Sequence, residues 1–215
     1  MKTLFTLAVL ALSPLCIAQK TIELKEFKNL AVGTDTEVTL IKSNENKLVI
    51  QGNTEDEEVQ VQNEGGDLAL QGEGTLTLYF KGKLEGIAAG SDSKVWCKDE
   101  IKADNFNLAA GSDAQVELKL NVTTLVTAAA SDAQVTLTGK AKNHNAAIAS
   151  DAKLEAKDLD TTDTTITASS DAEAEVSAKG TVNATVNSDA NVKIYGKPKK
   201  VNENKSGDGE ITVVN

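Results

Sequence analysis

The stretch "AQVEL" sets apolar side chains at every second place, with Ala114, Val116 and Leu118 alternating against Gln115 and Glu117. The alternation returns at Ala133, Val135 and Leu137, at Ala152, Leu154 and Ala156, at Ala172, Ala174 and Val176, and at Ala190, Val192 and Ile194. A period of two belongs to a β-strand with one buried face. On a helix the same residues would wind around all sides and leave no apolar stripe, although the Ala, Lys and Glu content and the capping-box pattern at Ser170 to Glu173 favour helix locally. The parity continues upstream of each segment. Ile87, Leu108, Thr127, Ala146, Ile166 and Ala184 form one column, and Phe106, Leu125, His144, Thr164 and Val182 a second.

A Ser-Asp pair separates the two halves of each unit, at Ser91-Asp92, Ser112-Asp113, Ser131-Asp132, Ser150-Asp151, Ser170-Asp171 and Ser188-Asp189, at intervals of 21, 19, 19, 20 and 18 residues. Strands repeated at this period, each with the same inward columns, stack as turns of a solenoid. The pattern therefore predicts an all-β protein, a single-stranded parallel β-helix with coils of about 18–21 residues. Neighbouring rungs lie about 4.8 Å apart, so six or seven coils make a rod on the order of 30 Å long. The Ser-Asp pair reads as its corner. Gly90, Gly111, Ala130 and Ala149 before it are small enough for a tight bend, and the Ser and Asp side chains are expected to hydrogen-bond neighbouring backbone amides where the ladder is interrupted.

"NLAVGTDTEVTL" (29–40) is a fainter copy of "NLAAGSDAQVEL" (107–118), with Thr34-Asp35 in place of Ser-Asp. Residues 19–83 are expected to form the first coils or a cap, and residues 84–215 the Ser-Asp coils, within a single domain over 19–215. Residues 1–18 read as a secretory signal peptide: one Lys, an apolar run from Leu4 to Leu12, and Cys16-Ile17-Ala18 as a small-x-small cleavage pattern. That run is too short to cross a bilayer, which takes roughly 20 residues, and no later stretch reads as a membrane span. The protein is expected to be exported, to the periplasm, the cell surface or the extracellular space.

Losing Lys2 with the leader takes the formal charge from -10 to -11, and the chain contains no Arg. Nucleic acid is not expected as a partner, because phosphate binding needs clustered positive charge. Cys97 is left without a disulfide partner in the mature chain. Aromatic residues make up only 3% of the chain, so the core must be narrow and built from Ala, Val, Leu and Ile.

"FKNLAV", "EVTLIKSNENKLVIQG" (37–52), the Ser-Asp repeats and the ending "YGKPKKVNENKSGDGEI" (195–211) together resemble the putative autotransporter adhesin head GIN domain family, found in exported proteins mainly of Bacteroidetes. The resemblance covers nearly all of the mature chain. It implies a right-handed β-helical domain at the cell surface or in the periplasm, with no catalytic residues to carry over.

A calcium-binding column at Asp92, Asp113, Asp132, Asp151, Asp171 and Asp189 is the sharpest chemical hypothesis, since stacked carboxylates offer hard oxygen ligands. Against it, each coil supplies one carboxylate, and a turn that caps its own amides explains the same residues. His144 falls in an inward column and reads as packing. Cys97 shares the column of Leu118 and Leu137 and reads as a buried thiol. Trp96 points outward by parity. Threonine-rich stretches do not align coil by coil, which disfavours an ice-binding face, and the sequons at Asn121, Asn183 and Asn204 matter only in a glycosylating host. The expectation is an exported structural or surface-interaction protein, adhesin-like, without catalytic activity or cofactor, whose partner is an unknown cell-surface protein or glycan. The alternative is a carbohydrate-binding or carbohydrate-active β-helix, for which Trp96, Tyr79 or Tyr195 should lie beside an acidic groove. Free strand edges at a terminal coil would also allow a homo-oligomer.

Overall fold

The computed structural model describes residues 19–51 and 59–214, and the leader expected at residues 1–18 lies outside them. The described residues form seventeen strands and no helix. The first seven are β1 (Gln19–Glu23), β2 (Asn29–Gly33), β3 (Thr36–Lys42), β4 (Lys47–Gln51), β5 (Gln60–Glu64), β6 (Asp67–Gln71) and β7 (Gly74–Phe80). Then come β8 (Gly86–Ala89) and the long strands β9 (Lys94–Ala110), β10 (Gln115–Ala129), β11 (Gln134–Ala149) and β12 (Lys153–Ser169). The last are β13 (Glu173–Ala178), β14 (Thr181–Asn187), β15 (Asn191–Tyr195), β16 (Lys200–Ser206) and β17 (Glu210–Val213).

Successive coils pair in parallel. Val116 stands between Val95 and Val135, and Ala128 between Ala109 and Ala147, so the inward and outward columns read from the sequence are real ladders. The chain is a parallel β-solenoid whose two walls meet at the Ser-Asp corner. One wall stacks the strand segments before the corner, the other those after it. Nine rungs span about 38 Å at 4.8 Å each.

Stacking order departs from chain order at the N-terminal end. β2 and β3 lie between β6–β7 on one side and β8–β9 on the other. Beyond them the end is closed by antiparallel pairing, β4 on β7, β1 on β4 and β5 on β6. At the other end Glu203 and Lys205 stand over the inward positions of Ala184 and Val186, and Lys205 Nζ donates to the Ile211 carbonyl. Charged residues in the core columns of the last rung blunt an edge that would otherwise template further pairing.

Leu30, Leu40, Leu68, Leu76, Phe80 and Phe106 are buried toward the N-terminal end, whereas the later coils mix Ala168, Ala172, Ala174, Ala178 and Ala184 with Ile166, Val176, Val182 and Ile194. Gly139 is forced by the stacking: its φ is +104°, and a Cβ there would run into the Leu120 carbonyl oxygen.

The corner chemistry differs from the expectation. Both residues of the first five Ser-Asp pairs have positive φ, 54° and 62° at Ser131 and Asp132, and so do Thr34 and Asp35. The Ala133 amide donates back to the Ala130 carbonyl, closing a type I′ turn. The ladder is not interrupted, because the Asp132 amide donates to the Ser150 carbonyl at 3.0 Å and the Asp92 amide to Ser112 at 2.8 Å. The Asp amide and the amide after it are taken by main-chain carbonyls, and among the described residues no corner Ser or Asp side chain bonds an amide. These residues are there because Asp tolerates the left-handed region far better than most residues with a Cβ. The bend does not demand the small residue before the pair either. A Cβ on Gly90 or Gly111 would come no closer than 3.8 Å to its nearest neighbour.

Candidate functional site

Winding the chain sorts its outward side chains by wall. On the wall before the corner, one column runs Ala69, Ala31, Ala88, Ala109, Ala128, Ala147, then Thr167, Thr185 and Asn204. The next column away from the corner runs Asp67, Asn29, Gly86, Asn107, Val126, Asn145, Thr165, Asn183 and Asn202. On the corner side stand Gly33, Gly90, Gly111, Ala130, Ala149 and Ser169. Nine rungs deep and three side chains wide, this surface carries one charge, Asp67, in a chain of which 25% is charged. Val126, 41% exposed and at the middle of the wall, is one of two large hydrophobic residues presented to solvent among those described. Two shallow depressions, of about 690 and 520 Å³, run along these columns. Threonine occupies the alanine column on only two rungs, so no repeating threonine lattice forms.

The wall after the corner is its opposite. Lys94 pairs with Glu37 at 2.6 Å, Lys153 with Glu155 at 2.8 Å, and Glu175 with both Lys157 and Lys193 at 3.3 and 3.7 Å. The ladder has a defect here. Leu118 pairs with Cys97 but Lys119 with Glu100, so Lys98 and Asp99 are two extra residues in a β-bulge. Asp99 Oδ2 accepts the Lys42 amide at 2.8 Å and the Asp99 carbonyl accepts the Cys97 thiol at 3.4 Å, which fixes the bulge. A cavity of about 510 Å³ opens beside it, lined by Thr39, Ile41, Trp96, Lys98, Asp99 and Glu117. Trp96 is partly exposed, set between Thr39 and Glu117 on adjacent rungs. The 21-residue interval between the first two Ser-Asp pairs, two longer than the next, is the trace of this bulge in the sequence.

Tyr79 stands one rung beyond Ile41 at the edge of this cavity, with Lys47 Nζ over its ring at 4.7 Å, whereas the Tyr195 hydroxyl reaches Glu175 at 3.4 Å, five rungs or about 24 Å from Trp96. Asp92, Asp113, Asp132, Asp151, Asp171 and Asp189 stand one per corner, all exposed. No group of three His, Cys, Asp or Glu with metal-holding geometry occurs among the described residues.

His144 is buried between Leu125 and Thr164, its Nε2 3.1 Å from the Thr127 hydroxyl and its Nδ1 without a partner. Burial lowers its pKa from 6.5 to about 4. Cys97 is 3% exposed, and burial raises its thiol pKa to about 11. Neither the one imidazole nor this thiol meets solvent in a form suited to catalysis.

These features define a parallel β-solenoid with a flat uncharged wall, an ion-paired wall and two closed ends. Residues 26–198 match the family described as "Putative auto-transporter adhesin, head GIN domain", and the chain belongs to this family. Among solved structures it resembles a putative adhesin from Bacteroides fragilis (TM-score 0.84, 18% identity, covering 92% of this chain and 97% of that one). It also resembles a putative adhesin from Parabacteroides merdae (0.74, 14%, 93% and 96%) and a protein from Parabacteroides distasonis described as a putative lipid binding protein (0.71, 16%, 92% and 96%). At these identities the likeness is one of fold. No curated protein matches the chain.

Proposed function

We propose that this protein is an exported, adhesin-like structural module that docks on a cell-surface protein through its uncharged wall and catalyses no reaction. The carrying observation is the segregation of charge: three adjoining columns over nine rungs hold a single ionised side chain. Desolvating such a wall strands almost no charge, whereas covering the opposite wall would bury its ion pairs. The surface measures about 20 Å by 38 Å, on the order of 700–800 Å², which matches one side of a standard protein–protein interface. Small side chains leave it with open, shallow depressions in which Asp67 is the one charge, which suits a broad, uncharged partner surface. Membership of a family described as adhesins supports an exposed location, and the leader-like residues 1–18 support export.

Binding of fluorescently labelled protein (residues 19–215) to whole Bacteroidetes cells tests this. Ala109→Glu with Ala128→Glu places two charges at the centre of the wall and should abolish binding while circular dichroism stays unchanged. Gln115→Glu with Gln134→Glu adds the same charge to the other wall and should leave binding intact, and protease treatment of the cells should remove it. Equal binding by both variants would overturn the assignment of the wall.

A further inference from the structure

We infer that the bulge beside Trp96 is a carbohydrate-binding subsite for a neutral glycan, separate from the uncharged wall. The cavity lies within the roughly 300–1,000 Å³ range of small-molecule sites and combines an apolar floor with a few convergent polar groups. Its floor is the indole of Trp96 beside Ile41, a rigid flat surface suited to the C–H face of a pyranose ring.

Its rim offers both kinds of hydrogen-bonding group. Thr39 and Lys98 can donate, and Glu117 and the second oxygen of Asp99 can accept. Neither Lys98 nor Glu117 forms an ion pair among the described residues, and Asp99 bonds the Lys42 amide through Oδ2 alone. A polyhydroxylated ligand needs donors and acceptors together. Asp99 and Glu117 outnumber Lys98 on the rim, so an anion is disfavoured, while the hydroxyls of a neutral sugar can use donors and acceptors together.

The construction is local and fixed. The two inserted residues, Lys98 and Asp99, both line the cavity, and bulges commonly occur beside binding sites. The tie from Asp99 to the Lys42 amide holds the rim in place before any ligand arrives. A glycan gripped here would be read by the ion-paired wall while the uncharged wall stays free.

Trp96 is the only tryptophan in the chain, so its emission reports on this cavity alone. The test titrates residues 19–215 with cellohexaose, chitohexaose and mannohexaose, following tryptophan emission and acrylamide quenching, with choline as a cationic control. The expected result is a saturable emission change and protection from quenching with at least one hexasaccharide. Glu117→Gln should weaken that binding at least tenfold. By calorimetry Trp96→Phe should do the same without altering the circular dichroism spectrum, and Ala109→Glu with Ala128→Glu should bind the sugar as the parent does. No response to any of the three sugars, or saturation by choline in their place, would overturn the inference. Loss of cell binding in the wall variant with sugar binding retained would separate the two surfaces.

Discussion

Replacing Ser131-Asp132 by Asn-Gly should stabilise the protein, although it deletes a hydroxyl and a carboxylate. Both positions have positive φ, and the surrounding hydrogen bonds are made by the backbone: Ala133 to Ala130, and Asp132 to Ser150. A residue with a Cβ held in the left-handed region costs roughly 1–2 kcal/mol, less for Asp, while Gly pays nothing there but loses about 0.5–1 kcal/mol in unfolded-state entropy. Asn-Gly is the preferred pair for a type I′ turn. The net gain per corner is about 1 kcal/mol, or 2–4 °C in the melting midpoint for a chain of this size. Removing Asp132 also relieves repulsion between carboxylates on adjacent rungs, which acts in the same direction. The same change at Ser112-Asp113 and Ser150-Asp151, two rungs apart, should add nearly independently. At Thr34-Asp35 the gain should be larger, because Thr34 is β-branched and has a φ of 59°. The assay is urea and thermal unfolding followed by circular dichroism. If the side chains capped amides, the same substitution would instead lose a charge-assisted hydrogen bond of about 1.5–3 kcal/mol. A lowered midpoint would therefore refute the conformational account of the repeat.

Acid should destabilise the protein through His144. Its folded pKa is about 4 against an ordinary 6.5, so the unfolded chain takes up a proton that the folded one refuses. That stabilising contribution is complete above about pH 6.5 and falls by up to about 1.4 kcal/mol per pH unit toward pH 4. His144→Leu, which fits the column of Leu125 and Phe106, should flatten this part of the stability–pH curve. Cys97 should react with thiol reagents only as fast as the protein opens, being buried with its pKa raised to about 11; prompt reaction in the native state would contradict this. Glu203→Ile with Lys205→Val removes the charges over the last core columns and should produce more concentration-dependent association in sedimentation velocity than the parent shows. Calcium at millimolar concentration should leave the melting midpoint unchanged, since the corner carboxylates stand one per rung and no group of three metal-holding side chains occurs among the described residues.

Alternation, recurrence and corner position were legible in the residues alone. Each inward column read by parity, including Phe106, Leu125, His144 and Val182, is a column of the folded protein. This works because a strand has an invariant two-residue period, and a coil buries its apolar face only against the next copy of itself. The role of Ser-Asp was not legible, because the same two residues suit a side-chain cap and a left-handed turn, and only the backbone torsions distinguish them. Nor was the insertion of β2–β3 between β6–β7 and β8–β9, which rests on a choice of neighbour among similar strands.

The two surfaces show the same division. An Asn-x-Ala before a corner is an ordinary polar stretch in any one repeat, and becomes an uncharged wall only when successive coils stack Ala109 on Ala88 and Ala128 on Ala109. The 21-residue interval was visible as an irregular spacing, yet its position beside the one tryptophan, and the cavity it opens, depend on where the ladder admits two extra residues. Local sequence sets the strand period and the side each residue faces. Which residues share a surface is decided by the register between coils, through main-chain hydrogen bonds that every sequence can make.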